Sequence, residues 1–509
     1  ECGASDSANM MGVHTAQKEL FSYQVDLNRR VRADHPLRAI QRTVDFGFVR
    51  QEVAACYGHN GNVSADPEVV MKLMFLLFLD NVKSERELLR LLPERLDYLW
   101  FLGFGLDDEV PDHSVLSKAR TRWGQQVFES LFVRIVQQCV EAGLVDGAKL
   151  HLDGSLINAH ASRDSVVKSS PELIAALKRA YQVEERKLEG NLADPHYQPI
   201  NATLLSTSDP DAPCVRQSKQ GATGDSRPRY KQHRAVDDRC GVITAVVTTP
   251  GDVPEPTQTE ALLDQHHANT GQSVATVIGD QQYGTTDNHR RMQERGVRTH
   301  LKSAPGRPLD EARFGPADFT YEANSDRYRC PAGQWLYPRG YNPRRQHTEY
   351  KTRKHVCTDC PLRTRCTDAK DGRVVQRYRE HELVLRAREQ AHSREARRDY
   401  RRRRHLMEGS FAQSANCHGF KRARWRRLWR QQIQDWLIAA CQNVKLLIRA
   451  LRPAPLAASG RQIDSRTLVT MHPTITVRLR VVLLAPHQSS SSRLPRTKSS
   501  APIESPLRN

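Results

Sequence analysis

Two apolar runs, far apart in the chain, each deliver an aspartate to the end of a strand, and any fold must place both strands in a sheet. In residues 149–160, KLHLDGSLINAH, Leu150 and Leu152 alternate with Lys149 and His151 as on a half-buried strand. Asp153 falls where that strand is expected to stop, before Gly154. Residues 274–284, VATVIGDQQYG, repeat the arrangement: a run rich in β-branched residues brings Asp280 to its end and breaks at Gly284. A third acid, Glu408, stands in a strongly basic segment with helical spacing, and the three acids are the candidate site.

The flanking sequence says what surrounds those strands. Asp66-Pro67 is a helix start, followed by Val70, Met71, Met74, Leu77 and Phe78. Ser84 and Glu87 have capping-box spacing for a second helix that Pro93 stops. A third helix is expected from about Asp112 to Ser114 onward, carrying Lys118, Arg120 and Arg122. A fourth repeats apolar pairs every four residues from Val127/Phe128 to Cys139/Val140. After the 149–160 strand come a polar, partly helical excursion (171–190), strands at 230–236 and 241–249 joined in hairpin style, a helix (257–266), the Asp280 strand, a helix (286–294) and a strand (297–301). Three strands, then alternating helix and strand, describe a mixed α/β sheet, and the order suits a ribonuclease H-like core.

At 509 residues the chain exceeds one hydrophobic core. The expected division is a weakly patterned leader (1–60, with no structure assigned to 1–15), an all-α N-terminal domain (61–145), the first part of the core (146–302), a cysteine-bearing insertion (303–375), a basic helical end of the core carrying Glu408 (376–452) and a disordered tail (453–509). The helical domain reads equally well as a helix-turn-helix DNA reader or as a dimerisation support. The chain opens on ECGASDSANMMG without an initiator Met, which suggests a translated fragment or a fused leader.

Charge points to the partner. With 77 Lys+Arg against 58 Asp+Glu the formal charge is +19, which favours a polyanion, and nucleic acid first. Within 394–430, thirteen Lys or Arg stand against three acids, Glu395, Asp399 and Glu408. The cluster Lys421, Arg422, Arg424, Arg426, Arg427 and Arg430, interleaved with Trp425 and Trp429, reads as a phosphate-contacting surface with base stacking, or as two core tryptophans amid solvated arginines. The most apolar run, 69–79, contains Lys72 and is too short to span a bilayer, so no membrane partner is expected. Eleven cysteines without a repeated pattern suit a reducing cytosol.

Carboxylates from separate elements are what a hard divalent cation needs. Mg²⁺ or Mn²⁺ takes oxygen ligands, and two such ions can serve phosphoryl transfer. The competing reading is plain: with 58 acids, one at a strand end is usually a turn residue. Arg404 lies one helical turn before Glu408 and would contact a phosphate or simply pair with the acid. Cys330, Cys357, Cys360 and Cys366 contain one CxxC pair; a structural Zn²⁺ knuckle and a chance grouping in a reduced loop are about equally supported. His233, on a core strand, reads as a packed histidine before a site residue.

The segments HLDGSLINAHAS, STSDPDA, YKQHRAVDDRCGVITAVVTTPGDV, VIGDQQYGT and YRRRRHLMEGSFAQSANCHGFKRARWRR resemble those of bacterial insertion-sequence transposases with an Asp-Asp-Glu triad. DPEVVMKLMFLLFLDNVKSERELLR and PDHSVLSKAR resemble that family's helical N-terminal domain, and the likeness runs in order over about 20–450. It implies a ribonuclease H-like catalytic core of the retroviral-integrase superfamily, with Asp153, Asp280 and Glu408 as catalytic metal ligands and Arg404 beside the Glu. It further implies Mg²⁺ or Mn²⁺, two ions, and cleavage and strand transfer of DNA at element ends. DNA-contacting residues would include Lys118, Arg120, Arg122, Lys421, Arg422, Arg424, Arg426 and Arg427. The resemblance also implies a homodimer or higher oligomer on DNA, in the bacterial cytoplasm at the nucleoid. Tyr400 lies one residue further from the Glu than is common in the family, and the first Lys after it is Lys421. An inactive relic that only binds DNA is the alternative.

Overall fold

The computed structural model describes residues 25–58, 63–168, 170–188, 204–217, 225–301, 313–315, 318–343, 347–353 and 355–451. The expected tail (453–509) and the first residues lie outside these. Eight helices come first: α1 (Leu27–Arg30), α2 (Pro36–Thr43), α3 (Phe48–Val53), α4 (Pro67–Leu79), α5 (Glu85–Leu91), α6 (Leu96–Leu102), α7 (Ser114–Trp123) and α8 (Gln126–Glu141). Asp66 accepts from the Glu68 N–H and Ser84 from the Glu87 N–H, so both N-caps form where the side chains were placed to make them. α4 is apolar nearly all round and is buried on every side from 69 to 79; its Lys72 is held by Glu68 at 2.8 Å. α1 to α3 fall within the weakly patterned first sixty residues, and Leu37, Ile40, Val49 and Val53 enter the core. Sequence patterning also missed α6, which Gly103 ends in the left-handed region (φ 85°).

The central sheet contains β1 (Lys149–Asn158), β4 (Cys214–Gln217), β5 (Asp225–Asp237), β6 (Ile243–Pro250), β7 (Thr276–Gly279) and β8 (Arg298–Leu301); β2 (Val166–Lys168) and β3 (Leu204–Ser206) pair separately, with α9 (Pro171–Leu188) between them in sequence. Across the sheet the order is β6-β5-β1-β7-β8, with β4 continuing along the start of β5. β6, β5 and β1 are antiparallel neighbours, whereas β7 and β8 run parallel to β1. α10 (Thr259–Thr270) and α11 (Thr286–Glu294) cover one face, burying Leu262, Leu263 and Met292 with Leu150, Leu152, Val277 and Leu301.

The other face is covered by the last helix. After β8, five antiparallel strands follow in consecutive order: β9 (Thr320–Glu322), β10 (Arg327–Arg329), β11 (Trp335–Asn342), β12 (His347–Lys351) and β13 (Val374–Tyr378). They have their own small core of Phe319, Tyr328, Leu336, Tyr350 and Val375, and α12 (Arg363–Cys366) lies between β12 and β13. Next come α13 (His381–His392), α14 (Arg394–Arg403), α15 (Gly409–His418) and α16 (Leu428–Leu451). The stripe Ile433, Trp436, Leu437, Ala440, Val444 and Leu447 is buried, and α16 joins sheet and N-terminal helices in one apolar cluster. Asn443 locks it to β6, accepting from the Ile243 N–H at 2.9 Å and donating to the Ile243 carbonyl at 2.7 Å. Among the described residues no helix is long and apolar enough to cross a membrane.

Candidate metal centre and nucleic-acid face

β1 does not stop at Asp153, contrary to the expectation. It continues to Asn158 because β5 pairs with it along its length, Asp153 opposite Arg234. What stops is its other neighbour: pairing with β7 ends at His151 opposite Ile278, and β7 itself ends at Gly279. Asp153 therefore lies beside the notch left by β7, and Asp280 is the first residue past that strand. Asp280 caps a 3₁₀ turn, accepting from the Gln282 N–H at 2.8 Å.

A third carboxylate, not foreseen, completes this notch. Glu255 opens the 3₁₀ turn Glu255–Gln258 after β6, and carboxylate oxygens of Asp153, Glu255 and Asp280 all lie within 4.8 Å of one another. Among the described residues they are the one group of three or more acids, histidines or cysteines that close. Burial raises the Asp153 carboxyl above its ordinary value, Arg403 opposing and Asp280 reinforcing that rise; burial likewise pushes Glu255 up to about 7. Arg403 Nη2 lies 3.0 Å from Asp153 Oδ2.

Glu408 arrives on a helix docked to the parallel side of the sheet. Lys149 of β1 reaches Glu395 at 2.8 Å and Asp399 at 3.0 Å, and His300 of β8 meets Asp399 at 2.7 Å, which fixes α14. The chain then makes a π-helical turn over Arg404–Glu408 before α15. That wider turn shifts the register expected from four-residue spacing. Arg403, not Arg404, reaches Asp153 and the Leu152 carbonyl, while Arg404 and Glu408 are exposed. Glu408 stands outside the acid trio. Two residues on, Ser410 accepts from buried Arg234 at 2.7 Å, which ties the start of α15 to the strand facing Asp153.

The basic segment occupies the edge that β7 leaves. The Asn158 N–H donates to the Lys421 carbonyl at 3.0 Å and the Ala423 N–H to the Asn158 carbonyl at 2.8 Å, a short bridge alongside the end of β1. Lys421 Nζ donates to Ser155 Oγ at 2.6 Å, two residues from Asp153. Lys118, Arg122, Lys421, Arg422 and Arg426 are exposed. Two of the expected DNA contacts are buried and a third is half-buried. Arg120 is buried against Glu85 and over the Trp425 ring; Arg427 is buried beside Asp211; Arg424 turns inward to the Leu77 carbonyl and Asn81. A guanidinium enclosed by protein is out of a phosphate's reach, as are those of Arg120 and Arg427. Trp425 packs edge-on against Phe78, a core role, and His233 is buried with its Nε2 2.9 Å from Thr249 Oγ1.

In the insertion, Cys330, Cys357, Cys360 and Cys366 line one small cavity between β10, β12 and α12, and all four are free thiols. The Gln334 N–H donates to Cys330 Sγ at 3.3 Å, and Thr352 Oγ1 lies 3.2 Å from Cys357 Sγ.

Residues 25–122 match a family described as a transposase domain (DUF772), and residues 329–448 match a transposase DDE domain. The chain thus carries two segments that match transposase families, the second of them a DDE domain. The matches include Glu408, the four cysteines and the basic segment, while Asp153, Glu255 and Asp280 lie between them. No curated protein sequence matches the transposase. Among solved structures it is similar to a piggyBac transposase synaptic complex with hairpin DNA, at 9% identity and a TM-score of 0.32 over 81% of this chain and 72% of that one, a likeness too slight to support any argument about this chain.

Proposed function

We propose that the transposase cuts and joins DNA at the notch where β7 ends, with Asp153, Asp280 and Glu408 as its catalytic acids on a ribonuclease H-like core. The observation that carries this reading is the approach of the Asp153 and Asp280 carboxylates at that strand end. The strand order, three antiparallel followed by two parallel, supports the core assignment. The donor set is all hard oxygen, with Asp153 and Asp280 partly open to solvent, which fits Mg²⁺ or Mn²⁺. When bound, one or two such ions would polarise the scissile phosphodiester and activate the attacking oxygen.

The chain's own groups set the rest. Asp153 and Asp280 present ligand oxygens; exposed Glu408 meets the substrate side; Lys421 and Arg403 offset phosphate charge beside the notch. Water attacks phosphorus at the element end, releasing a 3′-hydroxyl and a 5′-phosphate. That hydroxyl then attacks a target phosphodiester, forming one bond as the target's 3′ oxygen leaves. The partners are element-end and target DNA, and pairing of two ends calls for a dimer or higher assembly. The site of action is the bacterial cytoplasm at the nucleoid. A structural Zn²⁺ in the four-cysteine cavity is part of the same proposal, supported by the N–H bond onto Cys330 Sγ.

The test is nicking of supercoiled DNA carrying the element ends in Mn²⁺. Asp153→Asn, Asp280→Asn and Glu408→Gln should each abolish nicking and keep DNA binding. Full nicking by any of them removes that acid from the set. A wild-type protein that binds but never nicks is the relic.

A further inference from the structure

We infer that Glu255 is a metal ligand, joining Asp153 and Asp280 to seat the ion before DNA arrives. This rests on the metal-dependent reading above and adds a residue to it. Three elements supply the three acids: the middle of β1, the turn after β6 and the turn after β7. Glu255 is only 8% exposed. Of the nearby cations, Arg403 contacts Asp153 and Lys231 lies 3.9 Å from Glu255, while Arg234 and Lys421 act on Asp153 from further off. Three carboxylates this close, one of them buried, repel one another, and a divalent cation among them relieves that repulsion.

Two further observations point to a ligand there. Gly154 leaves room for Glu255: a β carbon on residue 154 would lie 2.9 Å from the Glu255 carboxyl carbon and Oε1. The same residue's N–H donates to Asp153 Oδ1 at 2.9 Å, so one glycine sets the positions of two acids. Independently, Tyr283 is fully buried and its hydroxyl has no hydrogen-bond partner among the described residues. That hydroxyl stands in the field of Glu255, Asp153 and Asp280, Glu255 most strongly. A fully buried hydroxyl without a protein partner, in the field of three acids, suits a site whose oxygens are completed by an ion and its waters.

The measurement is Mn²⁺ binding to the full chain without DNA, by calorimetry, with thermal melting alongside. Glu255→Gln should weaken binding about tenfold or more, as should Asp153→Asn. Gly154→Ala keeps the carboxylate but displaces it, and should weaken binding comparably, so it decides the matter should Glu255→Gln fail to fold. If Glu255→Gln and Gly154→Ala bind Mn²⁺ normally while Asp153→Asn does not, the role of Glu255 is refuted and the catalytic proposal stands. A lower melting point with unchanged affinity also refutes it, leaving only the pairing with Lys231. No Mn²⁺ binding by the wild type without DNA refutes the inference, and nicking with DNA present then decides the catalytic reading.

Discussion

Arg403 sits with its side chain 15% exposed against an Asp153 side chain 22% exposed, and it also donates to the Leu152 carbonyl. A pair so shielded from water fixes geometry in a way that a surface pair does not. The two neighbouring arginines should therefore behave differently. Arg403→Ala should slow single-turnover nicking by roughly an order of magnitude or more at saturating DNA, because it loosens a group that touches the site. Arg404→Ala, on an exposed side chain, should change DNA affinity and leave the saturated rate alone. Equal effects would put the two arginines in one role. The sequence pointed to Arg404 because four-residue spacing assumes an unbroken α-helix, and a π turn leaves no trace in residue types. Asp280 was legible because an acid after a β-branched run is a local signal, and Asp153 because it follows an alternation of leucines with polar residues. Glu255 was not, since only the sheet brings its Pro-flanked turn to the notch.

At the scale of elements, the helices whose caps are written locally, α4, α5 and α11, were readable to within a residue or so. The insertion was not: its five strands are short, arginine-rich and poorly alternating, so their pairing is decided by one another. The cysteine cavity beneath them makes a prediction about that sheet. The purified protein should carry one Zn²⁺ per chain, and Cys357→Ser/Cys360→Ser should lose it and lower the melting point; a metal-free protein of unchanged stability would leave four ordinary thiols. A second prediction concerns α16 on β6. Asp435 is fully buried, accepts from Thr248 Oγ1 at 2.6 Å and from Gln431 Nε2 at 2.9 Å, and burial pushes its carboxyl to about 7 from 3.8. The folded protein thus keeps a proton that the unfolded chain loses above 3.8. The stabilisation is full below that pH and is lost as pH rises through about 7. Melting points of Asp435→Asn and wild type should agree near pH 4 and separate by pH 8, with the variant higher. A constant difference across that range would mean that Asp435 titrates alike in both states.

For the whole molecule, the +19 charge is divided between two jobs, and burial sorts them. Arg120, Arg234 and Arg427 are spent inside: Arg234 binds Gln232, Ser410 and Ser414 beneath the Phe411 ring, and Arg427 stands beside Asp211 with a left-handed backbone (φ 84°). These join the sheet, α15, α16 and the turn between β3 and β4 into one body. Arg422 and Arg426 remain exposed along the end of β1, next to the acid notch, where a duplex lying across the site would place its phosphates. Charge that only holds the fold contributes nothing to counterion release, whereas each phosphate contact contributes a fixed increment to the salt slope. Arg422→Ala/Arg426→Ala should therefore weaken DNA binding and reduce the slope of log affinity against log salt by about 1.8, roughly 0.9 per contact. Arg427→Ala should leave that slope alone and lower the melting point, because it strips Asp211 of its buried partner. Affinities measured from low to moderate salt, with melting curves for the same proteins, separate the two classes. A slope that falls for Arg427→Ala but not for the exposed pair would reverse the assignment and place DNA on another face.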